Sequence, residues 1–163
     1  MEAKRAKDEL FVEALTAHRD AMYRVALTML RSPADAEDAV SEATLSAYTH
    51  MNALRRWDAV RPWLMRITVN ACHRTLRGRK REIPVESEAL NAAQEVRETE
   101  TPIWAYVGAL PEKYSVVLQM FYGEDMSLEE IGRALRLPKG TVSSRISRGR
   151  QELRKRMERE ANE

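Results

Sequence analysis

Residues 128–150 read LEEIGRALRLPKGTVSSRISRGR, the pattern of two short helices joined by a tight turn. Ser127 and Glu130 have the spacing of a capping box, which predicts that the first helix begins there. The turn is predicted over residues 137–140, and Thr141 is predicted to be the N-cap of the second helix. By itself the stretch fits ordinary helix packing, the DNA reader of a repressor, or one part of a larger transcription machine.

The second predicted helix has one apolar and one polar face. A buried stripe at helical spacing is formed by Val142, Ile146, Gly149 and Leu153. Helix-turn-helix proteins place the start of such a helix in the major groove, where small hydroxyls permit close approach and arginine can bond a guanine edge. The predicted DNA contacts are Lys139, Thr141, Ser143, Ser144, Arg145, Ser147 and Arg148.

An alternative for this helix is a solvated basic face on a packed helical hairpin. That alternative explains the charge, but the tight turn, hydroxyl cluster and apolar stripe together favour DNA binding. Arg136 departs from the motif, because many such turns place Gly or Asn there to end the first helix in a left-handed conformation.

Composition predicts an all-α protein, and its length suffices for one compact domain or two small helical ones. The 163 residues are rich in Ala, Leu, Arg and Glu, with only six glycines and two phenylalanines. Cys72 is the only cysteine, and the three histidines have no zinc-binding spacing. No metal or cofactor is therefore expected. The N-terminal residues lack the apolar core of a signal peptide, and no uncharged run is long enough to span a membrane, so a cytoplasmic protein without direct membrane insertion is expected.

Charge is distributed unevenly, although the formal net charge is only +2. Residues 66–81 carry six Lys/Arg and no acid, and residues 133–159 carry ten against two acids. Between these blocks, residues 82–100 carry six glutamates against one arginine. Two basic regions separated by an acidic spacer indicate two contacts with a polyanion.

Helical periodicity divides the chain into two domains. Three amphipathic helices are predicted over residues 8–30, 33–51 and 60–79, and two further segments over residues 103–110 and 114–122. The predicted domains are residues 1–82 and 102–163, with a flexible acidic linker at 83–101.

Two segments of the first domain carry candidate binding residues. Asp35, Asp38 and Glu42 fall along one edge of the second predicted helix. Capping and the helix dipole explain acids near the start of this helix, Asp35 and Glu37. They do not explain Glu42, which lies more than two turns inside the helix. The third predicted helix combines Asn70 with a one-sided run of cations. Such a helix suits phosphate contacts and an exposed base, but it also suits an ordinary cationic surface.

Taken together, these segments resemble a bacterial RNA polymerase sigma factor of the sigma-70 superfamily, in the small extracytoplasmic-function group. DAEDAVSEATLSAY (residues 35–48) is similar to the family's polymerase-clamp-binding helix, and RPWLMRITVNACHRTLRGRKRE (61–82) to its helix for the minus-10 element. ALPEKYSVVLQMFYGEDMSLEEIGRAL (109–135) and GTVSSRISRGRQELRK (140–155) are similar to its minus-35 reader. The resemblance covers nearly the whole chain in the family's order.

The resemblance implies residue roles and partners. It implies that the acids near the clamp contact are Asp35, Glu37, Asp38 and Glu42. It implies that Asn70 lies beside the pocket for a flipped base, that Trp57 precedes the loop shaping this pocket, and that the backbone contacts are Arg66, Arg74, Arg77 and Lys80. The implied partners are core RNA polymerase, through its beta-prime clamp and beta flap, promoter DNA and an inhibitory anti-sigma factor.

The expected function is promoter-specific transcription initiation without catalysis and without a small-molecule substrate. A conventional helix-turn-helix regulator is the alternative, because it shares the C-terminal motif but does not need the segments around Glu42 and Asn70. A third class, an enzyme using Cys72 with His73, is disfavoured because consecutive helical residues point about 100° apart.

Overall fold

The computed structural model describes residues 1–81 and 102–162, and the linker predicted at residues 83–101 lies outside the described residues. Within these two ranges the chain forms helices and no strand, which confirms the all-α prediction. Each range contains one bundle of helices.

The N-terminal domain contains three long helices. They are α1 (Glu2–Leu30), α2 (Pro33–His50) and α3 (Val60–Arg81). Two 3₁₀ turns, Met51–Ala53 and Trp57–Ala59, connect α2 to α3. The helix predicted from residue 8 begins earlier, because the charged residues before it have good helical propensity although they bury little surface.

A sharp corner separates α1 from α2. Arg31 ends α1 in the left-handed conformation, with φ 56° and ψ 27°. Ser32 is the N-cap of α2: its Oγ accepts a hydrogen bond from the Asp35 N–H at 3.3 Å, and Pro33 occupies the first helical position. The predicted cap is confirmed.

Small residues on α2 form the centre of the first core. Ala36, Ala39, Ala43 and Ala47 recur at helical spacing and are at most 1% exposed. Because a methyl group is short, this stripe lets α1 and α3 approach α2 closely, and larger side chains fill the space on either side. The larger buried residues include Met22, Val25, Leu30, Leu64 and Met65.

The C-terminal domain contains four helices in the described range. They are α4 (Pro102–Ala109), α5 (Glu112–Leu118), α6 (Leu128–Leu135) and α7 (Lys139–Ala161). The chain continues from α5 into a π-helical turn, Gln119–Gly123. The core between them includes Val117, Met120, Met126, Ile131 and Val142.

The first helix of the helix-turn-helix begins where it was predicted, but the second helix does not. Ser127 and Glu130 make both hydrogen bonds of the capping box. The prediction that Thr141 is the N-cap of the next helix is wrong: α7 begins at Lys139, and Pro138 is the N-cap. The extended Pro138 already places its carbonyl to accept from the N–H groups of Thr141 and Val142, at 3.0 and 3.1 Å, so Thr141 lies inside the first turn.

Arg136 adopts the left-handed conformation that glycine usually takes at this position, with φ 56° and ψ 49°. The turn closes through a hydrogen bond of 2.9 Å from the Leu137 N–H to the Gly132 carbonyl. A Cβ at Gly132 would lie 2.7 Å from the Leu137 carbonyl oxygen. The glycine that this turn requires is therefore Gly132, four residues before the left-handed position.

The two domains pack directly against each other. Helix α3 contacts α6, and α1 contacts α5 and the π-helical turn. The minus-10 segment and the helix-turn-helix, which were predicted as separate binding modules, thus share an interface.

Candidate nucleic-acid interface

One side of α7 forms an exposed polar face, which we call the recognition face. Val142 and Ile146 are buried against the core, at 0% and 6% exposure. The opposite side presents the exposed side chains of Ser143, Ser144, Ser147 and Arg148. Thr141 and Arg145 are half-buried at its border. Small hydroxyls near the start of the helix leave room for a DNA groove, and Arg148 can extend beyond them.

Lys139 lies at the N-terminal end of the recognition face. Its Nζ is 2.7 Å from an Oε1 of Glu129 on α6, and both side chains are more than half exposed. The hydrogen bond from Lys139 lowers the pKa of the Glu129 carboxyl. A phosphate that approaches Lys139 must therefore compete with the Glu129 carboxylate. Solvent already weakens the attraction between Lys139 and Glu129, because both side chains are largely exposed.

A second polar face lies on α3. Residues at positions 66, 70, 74 and 77 follow i, i+4 and i+3 spacing, which places them along one side of the helix. Asn70, Arg74, Arg77 and Lys80 are exposed, and Arg66 is half-buried. The face combines an amide that can read a base edge with cations that suit a phosphate backbone.

The cations of α3 fall into two groups. Arg66, Arg77 and Lys80 form no ion pair with another residue in the described ranges. Arg74 donates from Nε to Oε1 of Glu42 at 2.7 Å, and Arg79 pairs with Asp35. No carboxylate of the described residues occupies the first group, and carboxylates of α2 hold the second.

Asn70 lines a cavity of about 370 Å³, which we call the Asn70 cavity. Arg66 and His73 lie on the same side, and residues of the C-terminal domain close the other side. Trp57 does not line this cavity; it is partly buried in the 3₁₀ turn between α2 and α3. The C-terminal residues with polar side chains at the cavity are Glu112, Lys113, Arg136 and Arg145.

The four acids predicted for polymerase contact, which we call the clamp acids, lie on the first two and a half turns of α2. Glu37, Asp38 and Glu42 are exposed, and Asp35 is half-buried. Asp35 and Glu42 pair with arginines of α3, whereas Glu37 and Asp38 form no ion pair with any residue of the described ranges. Asp35, Asp38 and Glu42 thus share the edge of α2 that adjoins the α3 face. Glu37, two positions after Asp35, points to another side of the helix.

Sequence reasoning missed an apolar groove on the C-terminal domain. The groove has a volume of about 640 Å³ and lies between α4, the end of α5 and the C-terminal half of α7. Ile103 and Met157 on its walls are 46% and 40% exposed. In the sequence, the groove was indicated only by an apolar residue of α7 beyond the predicted stripe, Met157. Its lining also includes Trp104, Val107, Leu118, Tyr122, Leu153, Arg150 and Arg154.

Sequence reasoning also missed two ion pairs across the domain interface. Arg61 donates to both carboxylate oxygens of Glu130, at 2.7 and 2.6 Å. The hydrogen bonds from Arg61 lower the pKa of Glu130, and burial together with the Arg61 charge lowers the pKa of the neighbouring His18. Arg24 makes a similar pair with Glu124.

Cys72 is buried in the first core and is not a candidate nucleophile. Its side chain is 0% exposed, and burial raises the pKa of its thiol to about 12. The reactive thiolate is therefore scarce near neutral pH. No cluster of His, Cys, Asp and Glu in residues 1–81 and 102–162 has the composition of a metal site, and no helix there is long and apolar enough to cross a membrane.

Comparison with protein families identifies both domains. Residues 14–82 match the model of sigma-70 region 2, and residues 107–155 match that of sigma-70 region 4. The chain is 29% identical to the ECF RNA polymerase sigma factor SigW of Bacillus subtilis, over 96% of this chain and 93% of that protein. It is 32% identical to the ECF RNA polymerase sigma factor SigM of Mycobacterium tuberculosis, over 91% of this chain and 75% of that protein.

Two solved structures share the fold. The sigma factor RpoE of Bartonella quintana, in complex with the anti-sigma factor NepR, superimposes with a TM-score of 0.73 at 18% identity, over 91% of this chain and 96% of RpoE. CnrH, in complex with the cytosolic domain of CnrY, superimposes with a TM-score of 0.68 at 21% identity, over 91% of this chain and 87% of CnrH.

Proposed function

Because the chain belongs to the extracytoplasmic-function group of sigma-70 RNA polymerase sigma factors, we propose that its α3 and α7 faces read the two promoter elements while α2 holds core polymerase. The observation that supports this proposal most strongly is the presence, in one chain, of the recognition face on α7 and the Asn70–cation face on α3. A conventional helix-turn-helix regulator needs only the first of these, and the family matches do not favour it.

The recognition face is proposed to enter the major groove of the minus-35 element. Ser143, Ser144 and Ser147 permit close approach, and Arg148 reads a base edge. Lys139 and Arg145 lie at the borders of the face, where they contact phosphates. Thr141 is half-buried in the first turn of α7, and we assign its hydroxyl to a phosphate contact as well.

The α3 face is proposed to hold the melted minus-10 strand. Extruding a base costs about a few kcal/mol, so contacts to the base and to its phosphates must offset that cost. Asn70 provides the base contact, and Arg66, Arg77 and Lys80 provide cations that no carboxylate within the described ranges already occupies. Arg74 joins them when it leaves Glu42. Trp57 does not itself line the Asn70 cavity, and its proposed role stays that of the aromatic residue before the loop that shapes the base pocket.

Two surfaces are proposed for core polymerase. The clamp acids on α2 suit a cationic partner, and we assign them to the beta-prime clamp. The apolar groove of the C-terminal domain suits an apolar segment of a protein, and we assign it to the beta flap. The groove lies on the C-terminal half of α7, so a protein there does not cover the recognition face at the N-terminal half.

We propose further that the chain itself makes and breaks no covalent bond and acts in the cytoplasm, where core polymerase transcribes. The relatives are sigma factors, and the buried Cys72 offers no reactive thiol. An anti-sigma factor is proposed as a regulatory partner, because RpoE of Bartonella quintana is complexed with the anti-sigma factor NepR and CnrH with the cytosolic domain of CnrY.

Transcription of fragmented genomic DNA by core polymerase, with and without the full chain, tests the proposal. New start sites that appear only with the chain, and that share two sequence elements at fixed spacing, are expected. A chain with Asn70→Ala should lose starts that depend on strand capture while it retains binding to core polymerase. Absence of any chain-dependent start site, with a preparation that is folded by circular dichroism, would refute the proposal.

A further inference from the structure

The Asn70 cavity is rich in positive charge. Its cationic side chains come from both domains: Arg66 lies on α3, Lys113 on α5, Arg136 in the turn after α6 and Arg145 on α7. Among the described residues that line the cavity, Glu112 is the only acid. The cavity therefore has a net positive charge, which attracts anions.

Most of this charge is not neutralised by the protein. Arg66, Arg136 and Arg145 form no ion pair with any residue of 1–81 or 102–162. Glu112 contacts His73 of α3 instead. Like charges that share one cavity repel one another, so an anion that enters the cavity relieves this repulsion.

Other parts of the cavity wall are apolar. Leu135 and Leu137 are partly buried there. The remaining apolar lining residues, which are buried, are Val69, Val116 and Ala134. Asn70 adds an amide, which can donate and accept a hydrogen bond at the same time. Apolar walls suit the faces of a planar ring, and an amide suits the polar edge of a base.

Size and chemistry together indicate the class of ligand. The cavity volume of about 370 Å³ falls in the range of about 300–1,000 Å³ that small-molecule sites occupy. An inorganic anion would contact the cations but would leave the apolar wall and the amide without a partner. A molecule with several phosphates and one heterocyclic base contacts all three kinds of group.

The amide of Asn70 favours one base over another. Asparagine pairs bidentately with adenine, because adenine offers a donor at N6 beside an acceptor at N7. Guanine offers two acceptors on the same edge, so only the donor half of the amide finds a partner. Adenine is therefore the base that fits the cavity better.

We propose that the Asn70 cavity binds a nucleoside polyphosphate, with its phosphates held by Arg66, Arg136 and Arg145 and its adenine base held by Asn70. Because the ligand contacts both domains, its binding stabilises their contact. Asn70 and Arg66 are also assigned to the melted DNA strand, so the nucleotide and a single strand exclude each other. That last consequence rests on the function proposed above, whereas the site itself does not.

Calorimetric titration of the full chain without polymerase and without magnesium tests the proposal. The probes are adenosine triphosphate, guanosine triphosphate and inorganic tripolyphosphate. One adenosine triphosphate is expected to bind per chain. Guanosine triphosphate and tripolyphosphate are expected to bind at least about five-fold more weakly, because each lacks the bidentate contact with Asn70.

Three variants remove individual contacts. Arg66→Gln and Arg136→Gly should each weaken binding of adenosine triphosphate by about ten-fold or more, since each removes a charged partner of the phosphates. Glycine suits the left-handed conformation at position 136, so a loss there does not arise from a disrupted turn. Asn70→Ala should weaken binding of adenosine triphosphate by about five-fold and leave binding of tripolyphosphate unchanged.

Arg55→Gln and Arg133→Gln are matched controls. Both arginines are exposed and neither lines the cavity, but each substitution removes one positive charge, as Arg66→Gln does. Arg55 belongs to the N-terminal domain and Arg133 to the C-terminal domain. Both variants should bind adenosine triphosphate as tightly as the parent chain.

The outcomes separate a built site from general attraction of anions to a basic chain. Equal losses in the cavity variants and the controls would overturn the proposal, as would equal affinity for tripolyphosphate and adenosine triphosphate, or no binding to a folded chain at about millimolar nucleotide. Displacement of a labelled single-stranded oligonucleotide by adenosine triphosphate would support both the site and the strand-holding role of α3. If the nucleotide binds as expected but the chain supports no promoter-dependent start with core polymerase, the site stands and the proposed function fails.

Discussion

Glu42 of α2 accepts a hydrogen bond from Arg74 of α3, with Oε1 and Nε 2.7 Å apart. The two residues belong to different proposed surfaces: Glu42 to the clamp acids and Arg74 to the DNA-backbone contacts. Asp35 and Arg79 form a second pair of the same kind. Binding of a cationic polymerase surface to α2 would therefore release arginines for DNA on α3.

Glu42→Gln is expected to weaken binding to core polymerase and to strengthen polymerase-free DNA binding, because Arg74 loses its carboxylate partner. The pair is nearly half exposed, at 45% and 48%, so the free energy of unfolding should fall by less than about 1 kcal/mol. Urea denaturation and two binding titrations measure these quantities. Asp58→Asn, which removes a carboxylate outside the clamp acids, is the control and should leave polymerase affinity unchanged.

Arg148→Ala is expected to reduce promoter use with a penalty of about 1–3 kcal/mol that depends on the minus-35 sequence, because Arg148 extends from the exposed face of α7 to a base edge. Arg77→Ala should weaken binding more uniformly and reduce the salt dependence, because it removes a phosphate contact. The measurement is the apparent affinity of the polymerase complex for matched and mismatched promoters. Equal penalties of Arg148→Ala on both promoters would exclude base reading.

Arg136→Gly is expected to raise the free energy of unfolding by about 1 kcal/mol, because glycine adopts the left-handed conformation of this turn without a Cβ penalty. Gly132→Ala should lower it, since the added Cβ would lie 2.7 Å from a backbone carbonyl oxygen. Denaturation midpoints measure both effects. Gly140→Ala is the matched comparison, because no atom lies within 4 Å of a Cβ at that position.

Acidification is expected to weaken the contact between the two domains through Glu130, which accepts hydrogen bonds from Arg61. Arg61 lowers the pKa of Glu130 in the folded chain, so the unfolded chain binds a proton more readily. The stabilisation is thus fully present above the ordinary value of 4.5 and is lost as the pH falls below that value through the folded pKa. Denaturation at pH 7 and at decreasing acidic pH should show a smaller loss in Glu130→Gln than in the parent chain.

Arg61→Gln tests the cause of this pH dependence. It keeps the Glu130 carboxyl but removes its main partner, so the acid-induced loss of stability should decrease there as well. A parent-like loss in Arg61→Gln would show that another group is responsible.

The sequence predicted the helices well because their signals are local. Caps such as Ser32 and Ser127, and apolar residues at helical spacing, determine where α2 and α6 begin. The N-cap of α7 was predicted three residues too late, at Thr141, because a threonine is the better cap by side-chain chemistry. The conformation of Pro138 fixed the actual start. The buried and exposed faces of α7 were both predicted, because helical spacing alone determines them.

The domain interface was not predictable from the sequence. Arg61 and Glu130 are 69 positions apart, and Arg24 and Glu124 are 100 apart. With 27 basic and 25 acidic residues in the chain, complementary charge gives no unique pairing. The apolar groove was missed for a related reason: its wall joins α4 to the far end of α7, and only the folded chain brings them together.

The Glu130 carboxylate has two structural roles. It accepts a hydrogen bond from the Ser127 N–H in the capping box of α6, and it accepts another from Arg61 of the other domain. Most substitutions of Glu130 therefore remove both the capping box and the ion pair with Arg61. Glutamine removes the ion pair but can keep the capping box. Among the described residues, the Arg61 side chain makes no hydrogen bond to its own helix α3; its partners are Glu130 and the Glu124 carbonyl. Substitutions at position 61 can therefore change the strength of the contact between the domains without changing a helix cap. Substitutions at position 130 also change the capping box of α6.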